Sequence, residues 1–521
     1  MDPTFSNGMI STPHELASRA GLSILREGGN AIEAMVAAAA TIAVVAPHMN
    51  SLGGDGFWLI LKPDHPPFAL RACGPAALRA DIPFYERKGY AHIPTLGPLA
   101  ANTVAGAVSG WQQALGLSQQ WGGQQSLARL LSDAIHHAEH GVKINGSLQR
   151  SWQLKFNDLR KQPHWFDTFG RQSLQLKQPA LAHTLRMLAQ NGLDDFYRGS
   201  VAKQIAQDLE AMGSPLGIDD LSSFKAQQVE AISLTHSRGT FFNLPPPTQG
   251  LVSLLILGIL DKLDSERWQK EVDFAHAIIE CTKLAFTIRD QCISDPNDNP
   301  VNAEALLSSA SLHALAKQVN YATAAPWPTP LRPGDTVWMG ACDQQGIQVS
   351  YIQSIYHEFG SGCVLPNTGI HWQNRGSAFS LDPTSIRALK PKKLPFHTLN
   401  PAAARLSDGQ TVVFGTMGGD GQPQTQAQII LRLLRGQSPP EAVNAPRWVL
   451  GRTWGAHSDT LKCERRFSEA FVHGLQRRGH LVEWLTEYDD AVGHAGLIVR
   501  DANGLIRGAA DPRANGVAYG L

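Results

Sequence analysis

The chain has 521 residues, of which 43% are hydrophobic and 17% are charged, and its formal net charge is zero. This composition is typical of a globular protein with a large core, and length alone suggests about three domains. It argues against a nucleic-acid partner, because no dense block of lysine and arginine occurs. The amino-terminal residues lack a secretory signal, and no apolar segment reaches the ~20 residues of a membrane span. We therefore expect a cytoplasmic protein that contacts no membrane.

The first part of the chain predicts two helices, a glycine turn and a strand. Apolar residues at helical spacing run through PHELASRAGLSILREGG, which ends on two glycines, and Asn30 can cap the next helix, AIEAMVAAAATIAVVAP. The stretch SLGGDG then leads into a strand from Phe57 to Leu61. It precedes a strand and lacks the lysine of a phosphate loop, so close packing at a turn explains its glycines better.

The middle of the chain, residues 100–320, shows mostly helical patterns, whereas strand patterns dominate after Thr336. Between them lies PWPTPLRPGD, whose prolines prevent regular structure. This segment is the clearest boundary in the chain, although both sides are expected to share a core. The six cysteines show no paired or metal-like spacing, which predicts reduced core residues.

A hairpin is predicted directly after the proline-rich segment. TVWMGACD alternates as a strand does, DQQG is a turn, and IQVSYIQS returns. A four-residue loop would pair Cys342 with Ile347 and, further along, Gln353 with Thr336. A one-residue bulge would instead make Ser354 the direct neighbour of Thr336. The pattern thus predicts two hydroxyl groups at the open end of the hairpin.

Thr336 could act as a nucleophile without a histidine or aspartate partner. If the chain is cut before this residue, the new α-amine can serve as the base for the threonine's own hydroxyl. The usual pKa of such an amine, ~7.7–8, suits proton transfer near neutral pH. Threonines that open strands are common and usually structural, however, so the local pattern leaves both interpretations open.

Longer motifs make the chain resemble the γ-glutamyltransferase-like family of N-terminal nucleophile hydrolases nearly end to end. The segment from GLSILREGGN to SLGGDGFWLI is similar to the family's amino-terminal signature, and GAADPRANGVAYG to its carboxyl end. NTVAGAVSGW and AIHHAEHGVKI are similar to interior blocks, and DTVWMGACDQQGIQVSYIQSIYHEFGSG to the self-cleavage block. The resemblance implies an α+β fold, the four-layer αββα sandwich of the N-terminal nucleophile hydrolases.

The resemblance also implies catalytic roles. Cleavage is expected between Asp335 and Thr336, with Thr336 as the nucleophile and Ser354 as the residue that orients its hydroxyl. Gly418 and Gly419, in GTMGGDGQPQ, match the pair whose backbone N–H groups form the family's oxyanion hole. No cofactor and no metal are implied.

Self-cleavage would divide the chain into two subunits. Residues 1–335 would form the large subunit and residues 336–521 the small subunit, interlocked in one domain. The large and small subunits would form a heterodimer, and two such heterodimers could associate. Val337 stands where γ-glutamyltransferases usually have a second threonine. Cleavage is expected nevertheless, because it requires only that the preceding carbonyl be attacked by the threonine hydroxyl.

Departures from the family pattern concern the substrate. Arg71, in LRACGP, matches the arginine that holds the α-carboxylate of a γ-glutamyl substrate. The asparagine and aspartate that hold the α-ammonium match Tyr356 and Ala378 in this chain. The ammonium would be left buried without a carboxylate, so a γ-glutamyl group should bind badly.

Other positions of the implied pocket gain a cation or change their polar groups. The family's neighbouring glutamine matches Arg375, and its paired serines match His397 and Thr398 in PFHTLNP. Two arginines suit a small anionic amide, because a guanidinium holds a carboxylate in a bidentate fork. WQNRG, PFHTLNP and GTMGGDGQPQ fit a branch of the family that hydrolyses oxamate to oxalate and ammonia. The alternative is a γ-glutamyltransferase-like acylase or amidase with another small acidic substrate.

Two further alternatives come from other classes of protein. HHAEH places His136, Glu139 and His140 in the H-x-x-E-H pattern of a zinc peptidase. This segment matches a family helix that binds no metal, and the sequence assigns no third ligand. The other alternative is a relative that never matures and only binds a small acid. The retained threonine, serine and glycine pair argue against it.

Overall fold

The computed structural model describes residues 3–144, 146–170, 175–327, 335–451 and 458–521. Most of the proline-rich segment lies outside these residues, so its stiff-coil character stays a prediction. The β-strands of the described residues are β1 (Gly8–Thr12), β2 (Asp55–Leu61), β3 (Phe68–Ala72), β4 (Val142–Lys143), β5 (Gln175–Leu176), β6 (Gln227–Val229), β7 (Ile232–His236), β8 (Gly239–Asn243), β9 (Asp335–Asp343), β10 (Gln348–Tyr356), β11 (Ala402–Leu406), β12 (Thr411–Thr416), β13 (Trp448–Leu450), β14 (Leu461–Glu464), β15 (Val482–Leu485), β16 (Ala495–Arg500), β17 (Ile506–Ala510) and β18 (Val517–Gly520).

Helices cover most of the chain between β3 and β9. The α-helices of the described residues are α1 (Glu15–Arg26), α2 (Ala31–Val45), α3 (Ile82–Glu86), α4 (Ala107–Gln120), α5 (Leu127–His140), α6 (Gly146–Leu159), α7 (Trp165–Phe169), α8 (Pro179–Asn191), α9 (Asp195–Arg198), α10 (Ser200–Met212), α11 (Ile218–Ser223), α12 (Gly250–Asp261), α13 (Glu271–Cys292), α14 (Ala303–Leu306), α15 (Ser309–Ala316), α16 (Gln422–Leu434), α17 (Pro439–Asn444) and α18 (Glu469–Arg477). The predicted order of helices first and strands later is confirmed.

Two large sheets stack face to face. Within the described residues, one has the strand order β18-β1-β9-β10-β2-β3-β6 and the other β17-β16-β12-β11-β8-β7. A core that includes Phe57, Trp338 and Ile498 fills the space between them. Helices α2 and α4 pack on the outer face of the first sheet, and α12 and α16 pack on the second. These are the four layers of the expected αββα sandwich.

Both sides of residue 335 contribute strands to both sheets. In the first sheet β9 and β10 lie between β1 and β2, and in the second β11 lies between β8 and β12. The proline-rich segment therefore does not separate two independent domains. No helix of the described residues is long and apolar enough to cross a membrane.

Helix α2 shows why the amino-terminal elements were predictable. Asn30 caps it, and Glu33 completes a capping box by accepting a hydrogen bond from the Asn30 N–H at 2.9 Å. The carboxylate of Asp343 accepts another from the Ala31 N–H at 2.9 Å. Every residue of α2 is buried, as its apolar sequence requires.

The core between the sheets is built around one indole. The Trp338 ring donates a hydrogen bond to Ser350 at 3.0 Å and is enclosed by Gly340, Gly415 and Gly496. A Cβ atom on any of these glycines would lie between 2.1 and 2.6 Å from the ring. The glycines therefore make room for the indole of Trp338, which lies two residues after Thr336 in β9.

Replacing Gly415 with alanine is expected to destabilise the protein by about 1–3 kcal/mol, because the new methyl group would overpack the Trp338 ring. Thermal unfolding measures the effect. Gly116→Ala is the matched control, since a Cβ there meets no atom within 4 Å and alanine favours the helix α4. Equal melting temperatures for the two variants would contradict this account of the core.

Candidate active site

Thr336 is fully buried near the start of β9, on the face turned toward the second sheet. Its hydroxyl oxygen accepts a hydrogen bond from Nε2 of Gln422 at 3.4 Å. Gln422 is the first residue of α16, which packs against the second sheet. The threonine is thus held between the two sheets.

The hairpin register differs by one residue from the sequence-based prediction. Gln353 pairs with Val337 instead of Thr336. The register shifts because Ile347 is bound to Asp343, so that Cys342 lies opposite Gln348 instead of Ile347. The Asp343 N–H donates to the Ile347 carbonyl at 3.0 Å, and the Asp343 carboxylate accepts from the Ile347 N–H at 2.9 Å.

The predicted bulge is present at the open end of the hairpin. Pairing resumes with Tyr356 opposite Asp335, so two residues of β10, the first of them Ser354, stand against Thr336 alone. The Ser354 hydroxyl accepts a hydrogen bond from the Tyr356 N–H at 2.8 Å, which holds the bulge. The structure therefore brings Ser354 alongside Thr336.

The turn after β12 carries the two glycines of the implied oxyanion hole. Gly418 has φ of 121° and Gly419 has φ of 52°, values that glycine adopts far more readily than other residues. Among the described residues, none accepts a hydrogen bond from either of their backbone N–H groups. Two such donors suit an oxyanion that develops during amide hydrolysis.

Asp420 ties this glycine turn to the other half of the chain. Its carboxylate lies 3.1 Å from the guanidinium of Arg289, and both side chains are almost fully buried. Arg289, on α13, lies with its guanidinium carbon 4.2 Å from the ring centroid of Phe286 and 5.9 Å from that of Phe396. Sequence reasoning did not single out this ion pair, since its members are more than a hundred residues apart.

Arg375 is the most unusual charged group near Thr336. Its guanidinium is 1% exposed and lies 3.9 Å above the ring centroid of Tyr356. None of its three nitrogens has a hydrogen-bond partner among the described residues. Tyr356 has φ of 79°, a strained value for an aromatic residue, which the bulge imposes. Burial lowers the pKa of Arg375 from its ordinary value. A buried cation without a hydrogen-bonded partner marks a position where an anion would be stabilised.

A second group of buried polar atoms involves His397, Thr398 and Asp55. Both ring nitrogens of His397, the Thr398 hydroxyl and Oδ2 of Asp55 have no hydrogen-bond partner among the described residues. Nε2 of His397 lies 3.3 Å from Oδ2 of Asp55, and both side chains are fully buried. Asp55 pairs with Ser354 across β2 and β10. It therefore continues the row that begins with Thr336 and Ser354.

Sequence reasoning missed Asp55, which it treated as part of a glycine turn. Its Oδ1 accepts hydrogen bonds from the N–H groups of Gly74 at 3.3 Å and Gly106 at 3.0 Å. Burial raises the pKa of Asp55 to about 7, although the Arg375 charge acts in the opposite direction. Burial, with the charges of Arg375 and Arg71, holds the pKa of His397 well below its usual range. A carboxylate that opens a wholly apolar strand was the available signal.

A groove of about 280 Å³ reaches this region from the surface. Tyr356, Ala378, Thr398 and Asp420 line it, together with Arg289. The groove extends from the Tyr356 ring, which lies beneath Arg375, to Asp420 in the turn that bears the two glycines. The groove is therefore the candidate entrance for a small substrate.

Arg71 lines a different groove, although its charge acts on His397. Its half-buried side chain donates a hydrogen bond to Gln227 at 2.5 Å, and this groove of about 290 Å³ is also lined by Cys73 and Lys225. Its role in holding a carboxylate, implied by the family resemblance, stays a prediction. Arg375, in contrast, contacts Tyr356, which lines the candidate entrance groove.

The zinc alternative is not supported. His136 and His140 stack on the surface of α5 with ring centroids 4.4 Å apart, and Glu139 pairs with Arg186. His140 uses its Nδ1 in a contact of 3.0 Å with the His136 carbonyl. These residues form no cluster of metal-ligand geometry within the described part of the chain.

The described residues do contain a buried cluster of His276, Glu280 and His480. The two histidine rings contact each other at 2.8 Å, and Lys283 donates to Glu280 at 2.7 Å. The Ala325 N–H donates to the same carboxylate at 2.9 Å. Because an ammonium group already neutralises the carboxylate, the cluster is explained as a structural contact.

The chain was compared with known proteins. The gamma-glutamyltranspeptidase family model matches residues 17–521. An oxamate amidohydrolase proenzyme from Klebsiella pneumoniae is 53% identical over 99% of this chain and 98% of its own length. A glutathione hydrolase-like proenzyme from Bacillus subtilis is 36% identical over 98% of each chain. The solved structure of a cephalosporin acylase from Bacillus halodurans matches with a TM-score of 0.90 and 33% identity, covering 100% of this chain and 97% of its own, which confirms the expected fold. The chain therefore belongs to the γ-glutamyltranspeptidase family.

Proposed function

We propose that this chain is a precursor that cleaves itself between Asp335 and Thr336 and then hydrolyses a small amide bearing a carboxylate, with oxamate as the preferred substrate. Family membership makes it an enzyme that breaks amide C–N bonds. The observation that carries the choice of substrate is the buried Arg375 guanidinium, which has no hydrogen-bond partner among the described residues.

Cleavage begins when the Thr336 hydroxyl attacks the carbonyl carbon of Asp335. The peptide C–N bond breaks as the new ester bond forms, and the proton of the hydroxyl passes to the threonine nitrogen. Water then hydrolyses the ester and leaves Thr336 with a free α-amine. Residues 1–335 and 336–521 remain together because each contributes strands to both sheets.

In the mature enzyme, the α-amine takes the proton from the Thr336 hydroxyl as the oxygen attacks the amide carbon. The amine returns this proton to the leaving nitrogen, and ammonia departs. Water, activated by the same amine, hydrolyses the oxalyl ester and gives oxalate. The N–H groups of Gly418 and Gly419 hold the oxyanion in both steps, and each such donor typically contributes about 10²–10³-fold.

The pocket supports a short anionic acyl group. Arg375 can hold the carboxylate in a bidentate fork, and Tyr356 fixes the guanidinium from below. Ala378 lines the groove where γ-glutamyltransferases place an aspartate, and Asp420 is engaged by Arg289. His397 and Thr398 offer polar atoms beside the carboxylate. The named relative at 53% identity supports oxamate in particular.

A related acylase with another small acidic substrate is the second candidate. The observation that favours it is the match to a cephalosporin acylase over the whole chain, with a TM-score of 0.90. The same Thr336 chemistry would apply, and only the acyl group would differ. Activity on a panel of carboxylated amides separates the two candidates.

The substrate assignment is tested by comparing oxamate, acetamide and glutathione with the mature enzyme. Acetamide lacks the carboxylate, and its kcat/KM is expected to be lower than that of oxamate by about 100-fold or more, since a buried charge contact contributes about 2–5 kcal/mol. Glutathione brings an ammonium that finds no matching carboxylate, so it should also react poorly. Release of ammonia or glutamate reports the rates. Faster turnover of glutathione than of oxamate would contradict the proposal.

A further inference from the structure

A buried acid–base pair near Arg375 has no proton-transfer role in the mechanism above. Asp55 and His397 lie 3.3 Å apart and are fully buried. Asp55 follows Thr336 and Ser354 in one row across three strands of the first sheet. His397 precedes Thr398, which lines the entrance groove. The pair therefore lies behind the groove, with Asp55 next to Ser354 on the neighbouring strand.

The charges of Arg375 and an ionised Asp55 balance each other only while no ligand is bound. Arg375 carries one positive charge, an ionised Asp55 carries one negative charge, and His397 is neutral because its pKa is depressed. A carboxylate bound at Arg375 would leave one net negative charge among fully buried side chains. Such a buried charge is expensive, and proteins usually remove it by changing a protonation state.

We propose that binding of a carboxylate at Arg375 is coupled to the uptake of one proton by the Asp55–His397 pair. This inference rests on the proposed function, because it takes Arg375 as the carboxylate receptor. The enzyme with Asp55 ionised binds one carboxylate and takes up one proton from water. In the resulting complex the Asp55–His397 pair holds that proton. Asp55 is thus a positioning residue that sets the charge of the pocket.

In the mature enzyme two groups of this site can titrate near neutral pH, the Asp55–His397 pair and the Thr336 α-amine, and the variants below distinguish them. Burial brings the pKa of Asp55 to about 7, so the site can gain or lose a proton at little cost. Burial raises the pKa of Cys73, Tyr197 and Tyr351, which keeps these groups neutral. The titratable and charged groups that face the pair or Arg375 are Cys73, Tyr197, Tyr351, Tyr356, Arg71, Asp295 and Asp420.

Isothermal titration calorimetry of the mature enzyme tests the coupling. Oxalate and formate are titrated at several pH values, each in buffers of different ionisation enthalpy, which counts the protons taken up. At about pH 8 Asp55 is ionised, and we expect uptake approaching one proton per site. At about pH 6 Asp55 already holds a proton, and uptake should be small. Affinity should fall about tenfold for each pH unit above 7.

Two variants assign the proton to its residue. Asp55→Asn keeps an oxygen for the Gly74 and Gly106 N–H groups but cannot titrate, so uptake should drop by up to one proton. Glu358→Gln is the matched control, because Glu358 is also a buried carboxyl group whose pKa burial raises to about 7. It should leave the uptake unchanged.

The outcomes separate this inference from the proposed function. Binding of a carboxylate to the wild-type enzyme without proton uptake at pH 8 overturns the inference. This holds even if the enzyme releases ammonia from oxamate, and it does not depend on whether Asp55→Asn matures. Loss of uptake in Glu358→Gln instead of Asp55→Asn also overturns it. Uptake without ammonia release would keep the coupling and refute oxamate as the substrate. Failure of both carboxylates to bind overturns the inference.

Discussion

Replacing Thr336 with alanine is expected to leave one uncleaved chain with no measurable amidase activity. In the proposed mechanism the hydroxyl is the nucleophile in both reactions, and loss of a catalytic nucleophile typically lowers kcat by about 10⁴-fold or more. Denaturing electrophoresis and intact mass report the cleavage, and ammonia release from oxamate reports the activity. The fold should survive, since Thr336→Ala removes only a hydroxyl and a methyl group, and the hydrogen bond from Gln422 to this hydroxyl is long at 3.4 Å.

Thr336→Ser is the matched control. Serine keeps a hydroxyl on the same backbone position and gains the same α-amine after cleavage, so the variant should mature and retain activity. Cleavage of Thr336→Ala between residues 335 and 336 would refute the role of the hydroxyl. Full activity of an uncleaved Thr336→Ala chain would refute the N-terminal nucleophile mechanism altogether.

Replacing Arg375 with methionine is expected to lower kcat/KM for oxamate by about 10²–10³-fold, because a buried charge contact to a carboxylate contributes about 2–5 kcal/mol. Methionine preserves the length of the side chain and its packing on Tyr356. Self-cleavage should be preserved, since it involves no substrate carboxylate. Activity on acetamide should change little, which distinguishes lost recognition of the carboxylate from general damage.

Arg71→Met is the matched control for this experiment. Arg71 donates to Gln227 and lines a separate groove, so its replacement should change kcat/KM only a few-fold. Arg375→Lys should be intermediate, because lysine keeps the charge but loses the bidentate fork. A larger effect at Arg71 than at Arg375 would show that the carboxylate is held as in γ-glutamyltransferases.

Local patterns predicted the elements that depend on neighbouring residues. The cap at Asn30, the apolar helix α2 and the alternation of β9 and β10 all follow from periods of a few positions. Strand β1 (Gly8–Thr12) was not predicted, since five residues carry little signal and its position depends on pairing with β9 and β18. The predicted hairpin register was also wrong. The four-residue turn paired Ile347 with Cys342, whereas Ile347 is bound to Asp343 in the structure.

The candidate site was harder to predict because its residues meet through long-range pairing. The nucleophile, its neighbouring serine and the glycine pair were assigned by resemblance, and the structure brings them to one end of the two sheets. Asp55 was missed because its partner His397 lies in the other half of the chain. Arg71 and Arg375 looked equivalent in sequence, and only burial and hydrogen bonding distinguish them.

The most direct test of the central claim is mass spectrometry of the purified enzyme, mixed with oxamate and quenched rapidly in acid. The account predicts two chains, a small one that begins with Thr336 and, early in turnover, the same chain heavier by one oxalyl group on Thr336. Ammonia should appear in the same samples. A single intact chain would contradict the account. So would ammonia release with the oxalyl group trapped on a residue other than Thr336.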